Sequence, residues 1–230
     1  MLRLHGGVAL RYGARRVARN LAAAVVLAAS GTAAIAEEIT IAALGDSLTQ
    51  GYGLPQEDGF VPQLEAWLEG QGEEVALINA GVSGDTSAGG LARVGWTLTP
   101  EVDAMIVALG GNDLLRGLDP AQTRANIEGI LREAAGRDLP VLLVGLPAPT
   151  NYGPEFKAEF DALFPELAET YGAIFVDSFL GALGDDLSQV RPLMQSDGIH
   201  PNAEGVARIV ADIGPSVQVL VDRAEAVATQ

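Results

Sequence analysis

The sequence predicts an α/β fold, a three-layer α/β/α sandwich built on a five-stranded parallel sheet. Three observations carry this. Five short apolar runs alternate with longer amphipathic stretches, the pattern of strands joined by crossover helices. The run at Ala104–Leu109 is apolar throughout, as expected of a strand covered on both faces. No repeat, low-complexity tract or interdomain linker interrupts the alternation.

In chain order, Ile39–Leu44 reads as the first strand and runs into a glycine-marked turn. Phe60–Glu69 reads as a helix, with Val61, Leu64, Trp67 and Leu68 on one side. Val75–Ile78 is the second strand and Ser87–Leu98 a short helix. Ala104–Leu109 is the third strand. Pro120 suits the first turn of the next helix, where its missing N–H costs nothing. Ile127, Ile130, Leu131 and Ala134 then keep helical spacing. Val141–Leu146 is the fourth strand. Pro154–Tyr171 is a helix that Pro165 is expected to kink or divide. Ala173–Val176 is the fifth strand, and Ala203–Ala226 the last helix, with a break expected near Gly214-Pro215. Right-handed crossovers leave few topologies for such an order. Ligands in these sheets collect beyond the carboxyl ends of the strands, so the loops after the strands are the places to search.

Residues 1–36 have a different character. Arg3, Arg11, Arg15, Arg16 and Arg19 occur without a single acid, Leu21–Ala29 is apolar, and Ala34-Ile35-Ala36 ends in small residues. A basic start, a short apolar stretch and an A-x-A site form the pattern of a secretory signal peptide. The alternative is an uncleaved N-terminal anchor, for which the run is short and rich in alanine. The expected organisation is a signal at 1–36 and one domain at 37–230, placing the mature protein in the periplasm or outside the cell. Losing five arginines takes the net charge from −16 to −21. So acidic a chain is a poor partner for a phosphate backbone, and no nucleic-acid binding is expected. No stable membrane insertion is expected after signal removal. The 230 residues contain no Cys, which excludes disulfides, thiolate metal sites and a Cys nucleophile. His5 and His200 are the two histidines, too few for a multi-His metal site. No metal or cofactor is expected.

Four glycine-punctuated loops carry the chemistry. Gly45-Asp46-Ser47-Leu48-Thr49 follows the first strand, and Asn79 to Thr86, containing Ser83-Gly84-Asp85, follows the second. Gly110-Gly111-Asn112-Asp113 follows the third, and Asp197-Gly198-Ile199-His200-Pro201 precedes the final helix. Each residue has an ordinary structural use. Ser47-x-x-Gln50 fits a helix capping box, Asp197-Gly198 a turn, and glycines or an asparagine a bend in the chain. Asp46, Asp85 and Asp113 are read as loop or cap residues. The combination adds something. A serine hydroxyl is a weak nucleophile at neutral pH and needs a proton acceptor, for which neutral imidazole titrates in the right range. The imidazole in turn needs a partner on its other nitrogen. Ser47, His200 and Asp197 supply the three groups, with Asp197 three residues before a histidine that Pro201 biases away from helix. Lys157, the single lysine, lies outside all four loops.

Together, in this order and spacing, the GDSL segment, Ser83-Gly84-Asp85, Gly110-Gly111-Asn112-Asp113 and Asp197-x-x-His200-Pro201 resemble the four blocks of the SGNH, or GDSL, hydrolases. The resemblance covers essentially the whole chain after residue 36 and is nearest the bacterial secreted thioesterase I, lysophospholipase and arylesterase group. It implies that family's flavodoxin-like five-stranded fold. It also implies a serine esterase acting on small acyl or aryl esters, thioesters and lysophospholipids included, through an acyl-enzyme on Ser47. Asp197 and His200 would complete the catalytic triad. The Ser47 amide, Gly84 and the Asn112 side chain would be the oxyanion donors. Leu146, Pro147 and Tyr152, in the segment after the fourth strand, would border the acyl site, although their apolar character fits a packed surface loop equally well.

Other readings remain open at this point. An α/β-hydrolase carries G-x-S-x-G, whereas position 49 is Thr. A nucleotide- or flavin-binding domain lacks its phosphate loop here, since neither G-x-x-x-x-G-K-[ST] nor a full G-x-G-x-x-G follows the first strand. A carbohydrate acetylesterase of the same superfamily and a catalytically inert periplasmic binding protein are the remaining alternatives.

Overall fold

The structure, a computed structural model, describes residues 38–229. The signal-peptide assignment lies outside them. Five strands form one sheet: β1 (Ile39–Gly45), β2 (Val75–Gly81), β3 (Ala104–Ala108), β4 (Val141–Val144) and β5 (Ile174–Val176). All pairings are parallel, in the order β2-β1-β3-β4-β5, with Gly45 opposite Gly81 on one side and Ala108 on the other. This is the flavodoxin-like order, and the direction of winding reverses at β1. The loop after β1 therefore opens into the crevice where such sheets place their ligands.

Successive side chains of a strand point to opposite faces, and both faces of β1 are covered. Ile39, Ile41 and Ala43 join one core with Ile106, Leu142 and two helices, α2 (Phe60–Gln71) and α8 (Ala203–Ala228). Ala42 and Leu44 join the other with Met105, Val107 and Leu143, against α3 (Ser87–Thr97), α5 (Pro120–Ala135) and α6 (Pro154–Tyr171). The short helices α1 (Ser47–Gln50) and α4 (Gly111–Leu115) open the loops after β1 and β3. A further short one, α7 (Leu187–Val190), lies in the connection to α8. Every residue of β3 is buried, as its unbroken apolar run requires. The edge strands β2 and β5 are only partly covered.

Three expectations need correction. The last helix does not break at Gly214-Pro215 but continues through it. Interior proline costs a helix about 3 kcal/mol. Against that, Ile209, Ile213, Val217 and Leu220 are wholly buried on either side, and each contributes about 1.5–3 kcal/mol. Gly214 has a different function there: a Cβ would come within 2.6 Å of the Trp67 ring, so glycine lets α2 and α8 close on each other. Pro165 likewise does not divide α6, where buried Leu163, Phe164 and Leu167 flank it, and only that half of the expectation is overturned. The fourth strand ends at Val144, two residues early: the Gly145 N–H makes the last ladder bond, to Val176 O, and its carbonyl then accepts from Phe179 N–H, beyond the end of β5. Leu146 is thereby released into the loop.

Candidate active site

Ser47 is the first residue of α1, but it does not cap it. The cap is Asp46, whose Oδ1 accepts the Leu48 N–H at 3.0 Å. The proposed capping box is absent: the Gln50 side chain instead accepts from Ser83 Oγ. Ser47 is left without a structural task for its hydroxyl, and its Oγ lies 2.8 Å from His200 Nε2. On the other side of the ring, Nδ1 lies 2.6 Å from Asp197 Oδ2. Asp197 Oδ1 accepts the N–H groups of Ile199 at 2.9 Å and His200 at 3.1 Å. The bond to His200, followed by these two amides, holds the Asp197 carboxyl down at about 2, so the residue is anionic at neutral pH.

The loop carrying this pair is closed on itself. Met194 and Pro201 form an isolated antiparallel bridge, and Gln195 N–H donates to His200 O at 2.7 Å. Asn202 then caps α8, accepting from the Gly205 N–H at 3.0 Å. A Cβ on Gly205 would meet Leu193 O at 2.3 Å, so glycine is what allows α8 to start this close to the loop.

The second and third loops meet the first from the opposite side. Arg93 on α3 ties the second loop to the first: its guanidinium donates to Asp85 Oδ2 at 2.7 Å, to Ala80 O at 2.7 Å and to Gly45 O at 2.8 Å. Gly84 adopts φ +83°, a conformation that costs glycine little and other residues much. Its carbonyl accepts from Arg116 at 2.8 Å. The Asn112 Nδ2 donates to Asp85 O at 2.9 Å and, over a longer 3.3 Å, to Asp46 Oδ2. The structure thus brings Ser47, Gly84, Asn112 and His200 to the wall of one cleft of about 400 Å³. The three aspartates passed over as structural do have structural partners. Asp46 caps α1, Asp85 pairs with Arg93, and buried Asp113 accepts from Ser87 and Thr123. Burial raises the Asp46 carboxyl above its ordinary value, although the Leu48 amide pulls the other way.

The three residues expected to border the acyl site separate. Leu146 lines the cleft, with Leu114, Leu115 and Leu180. Tyr152 does not: its hydroxyl donates to Leu115 O at 3.4 Å and its ring packs against Gly117 and Phe156, behind the wall. Pro147 lies outside the cleft and, together with Leu146, lines a second depression beside Phe164, Pro165 and Phe175. Sequence reasoning missed Tyr52, whose ring packs on the His200 imidazole with centroids 4.7 Å apart, and Gln195, which holds both loops. The Gly51-Tyr52-Gly53 segment has no periodicity to mark it.

A serine, an imidazole and a carboxylate in line at the carboxyl end of a flavodoxin-like sheet define a serine hydrolase of the SGNH type, and the chain is an esterase by class. Comparison with known proteins fixes the family. Residues 43–208 match the GDSL-like Lipase/Acylhydrolase family. The esterase TesA of Pseudomonas aeruginosa is 37% identical over 183 residues, covering 79% of this chain and 89% of that protein. The thioesterase 1/protease 1/lysophospholipase L1 of Escherichia coli K12 is 32% identical over 185 residues, or 80% and 85% of the two chains. The crystal structure of AlinE4, an SGNH-hydrolase family esterase, is 45% identical with a TM-score of 0.66, covering 79% of this chain and 96% of that one. This chain belongs to the GDSL-like lipase/acylhydrolase family.

Proposed function

We propose that the chain is an exported esterase, with residues 1–36 as its signal, that hydrolyses small acyl and aryl esters through an acyl-enzyme on Ser47. The observation that carries this is the unbroken contact from Ser47 Oγ through His200 to Asp197 at the wall of an apolar cleft. In acylation, His200 Nε2 takes the Ser47 proton as Oγ bonds to the acyl carbon, and the carbonyl electron pair moves onto oxygen. Asp197 holds the ring tautomer and stabilises the imidazolium. The oxyanion receives hydrogen bonds from the Ser47 and Gly84 N–H groups and from Asn112. The first of these is an N–H at the start of a helix, which has no partner within it. Asn112 offers the hydrogen held only loosely by Asp46. The intermediate collapses, the bond to the leaving alcohol, phenol or thiol breaks, and that group carries off the proton from His200. Water repeats the sequence and frees the acid. Leu114, Leu115 and Leu146 give the acyl chain an apolar wall, with Tyr152 as the buttress of Leu115.

The same chemistry extends to thioesters and lysophospholipids, the activities in the Escherichia coli relative's name. Among the described residues no helix is long and apolar enough to cross a membrane. Purified protein assayed on aryl esters of increasing chain length, matched thioesters and lysophospholipids tests the substrate class. A fluorophosphonate probe tests the nucleophile: labelling is expected in the wild type and absent in Ser47→Ala. An unlabelled wild type overturns the assignment.

A further inference from the structure

The cleft has two unlike ends. The oxyanion donors stand opposite His200, so a bound ester must lie with its carbonyl oxygen toward Gly84 and Asn112. Its leaving oxygen must lie toward His200 Nε2, which supplies the proton that departs with it. What extends beyond that oxygen passes the residue packed on the imidazole, and that residue is Tyr52. Its ring lies 4.7 Å from the imidazole centroid at 39° and lines the cleft, yet it remains 50% exposed. A buried tyrosine filling space would not leave half its surface open.

The backbone that carries the ring is also held on both sides. Tyr52 N–H donates to Ser47 O at 3.1 Å, fixing it to the nucleophile's helix. Its carbonyl accepts from Gln195 Nε2 at 2.8 Å, and the same nitrogen donates to Pro201 O at 3.0 Å. The backbone N–H of Gln195 donates to His200 O. One glutamine therefore fixes the tyrosine and the histidine in a common frame. Gly53, at φ +77°, makes room for it: a Cβ there would come within 2.3 Å of Gln195 Oε1. The other exposed apolar side chain at this end is Ile199, which gives the site one aliphatic and one aromatic wall.

We infer that Tyr52 is a specificity-determining residue for the leaving group: its ring forms a stacking wall that selects esters whose alcohol portion is aromatic. The inference rests on the serine-esterase reading and adds to it which half of the substrate meets the aromatic surface. Offset and tilted aromatic pairs are favoured by the ring quadrupole beyond what area alone gives. An aliphatic leaving group of the same reactivity gains only the smaller burial term.

The experiment compares two esters of one short acid, the phenyl and the trifluoroethyl, on the wild type, Tyr52→Leu and Tyr52→Phe. Working with ratios between variants cancels the different intrinsic reactivity of the two leaving groups. Tyr52→Leu is expected to lower kcat/KM for the phenyl ester by about three- to tenfold, the ratio an ordinary aromatic pair produces. The trifluoroethyl ester is expected to stay within about twofold, since Leu keeps most of the apolar surface. Tyr52→Phe keeps the ring and is expected to match the wild type on both. An equal fall on both esters would mean that Tyr52 acts only through His200 and would overturn the assignment, as would no fall on either. A wild type inert to both esters and unlabelled by fluorophosphonate sinks the esterase reading instead, which is a separate outcome.

Discussion

Replacing Asn112 with alanine removes one side-chain amide and little else. The residue is only partly buried, at the start of the short helix α4, and its backbone is held by that helix whatever the side chain. Two contacts disappear: the 2.9 Å bond to Asp85 O and the 3.3 Å bond to Asp46 Oδ2. The first is an ordinary hydrogen bond at a partly solvated carbonyl, with a net contribution near 1 kcal/mol. The second is too long to add much. Folding should therefore survive with a small loss of thermal stability. The effect on turnover is larger because the lost donor acts on a charge that exists only in the transition state. Removing one oxyanion donor raises the barrier by about 2.7–4 kcal/mol, a fall of about 100- to 1,000-fold in kcat. KM should change little, since the ground-state carbonyl binds the donors weakly. Steady-state kinetics on an aryl ester, with a melting curve on the same sample, measures both quantities. A variant within threefold of wild-type kcat, or one whose loss appears entirely in KM, would refute the placing of Asn112 in the oxyanion hole.

Three other outcomes follow from the geometry. Ser47→Ala should melt with the wild type, because Asp46 and not Ser47 caps α1, while losing at least about a thousandfold in kcat; a marked fall in melting temperature would show that the hydroxyl has a structural task after all. Asp197→Ala should be less stable than the wild type at neutral pH. A carboxyl depressed to about 2 contributes stability above its unfolded value of 3.8 and loses it as pH falls through the folded one. The gap between the two melting curves should close over that window, and a gap independent of pH would contradict it. Gly214→Ala places a methyl group 2.6 Å from the Trp67 ring. It should destabilise by about 1–3 kcal/mol in urea unfolding, as overpacking does, and shift Trp67 emission; unchanged stability would mean that the two helices are free to part.

Much of this fold is legible in the sequence because buried parallel strands write themselves as apolar runs. Ala104–Leu109 is the clearest case. The same reading failed where local preference and tertiary packing disagree. Gly214-Pro215 is a strong local stop signal, but nothing in the sequence states that Trp67 will lie against that glycine or that both neighbouring turns will be buried. The site residues were legible by type and order, since few combinations of serine, histidine and aspartate fit one chemistry. Which donor caps the nucleophile's helix was not, because Asp46 and Ser47 are adjacent and both suit the position. The cleft walls were the least readable. Leu146, Pro147 and Tyr152 share one connecting segment, and nothing in their order states which of them reaches the cleft. Tyr52 and Gln195 carry no pattern at all: their partnership spans the chain and exists only once the chain has folded.

The contact between Ser47 and His200 joins groups 153 residues apart. Between them in the chain lie four of the five strands and most of the helices, and the loop bearing His200 is held to the first loop by Gln195. A nascent or clipped polypeptide that ends before His200 thus holds a serine with no base, however well its sheet has formed. Turnover reports that the two ends of this span have met, and a polypeptide cut short of residue 200 stays silent.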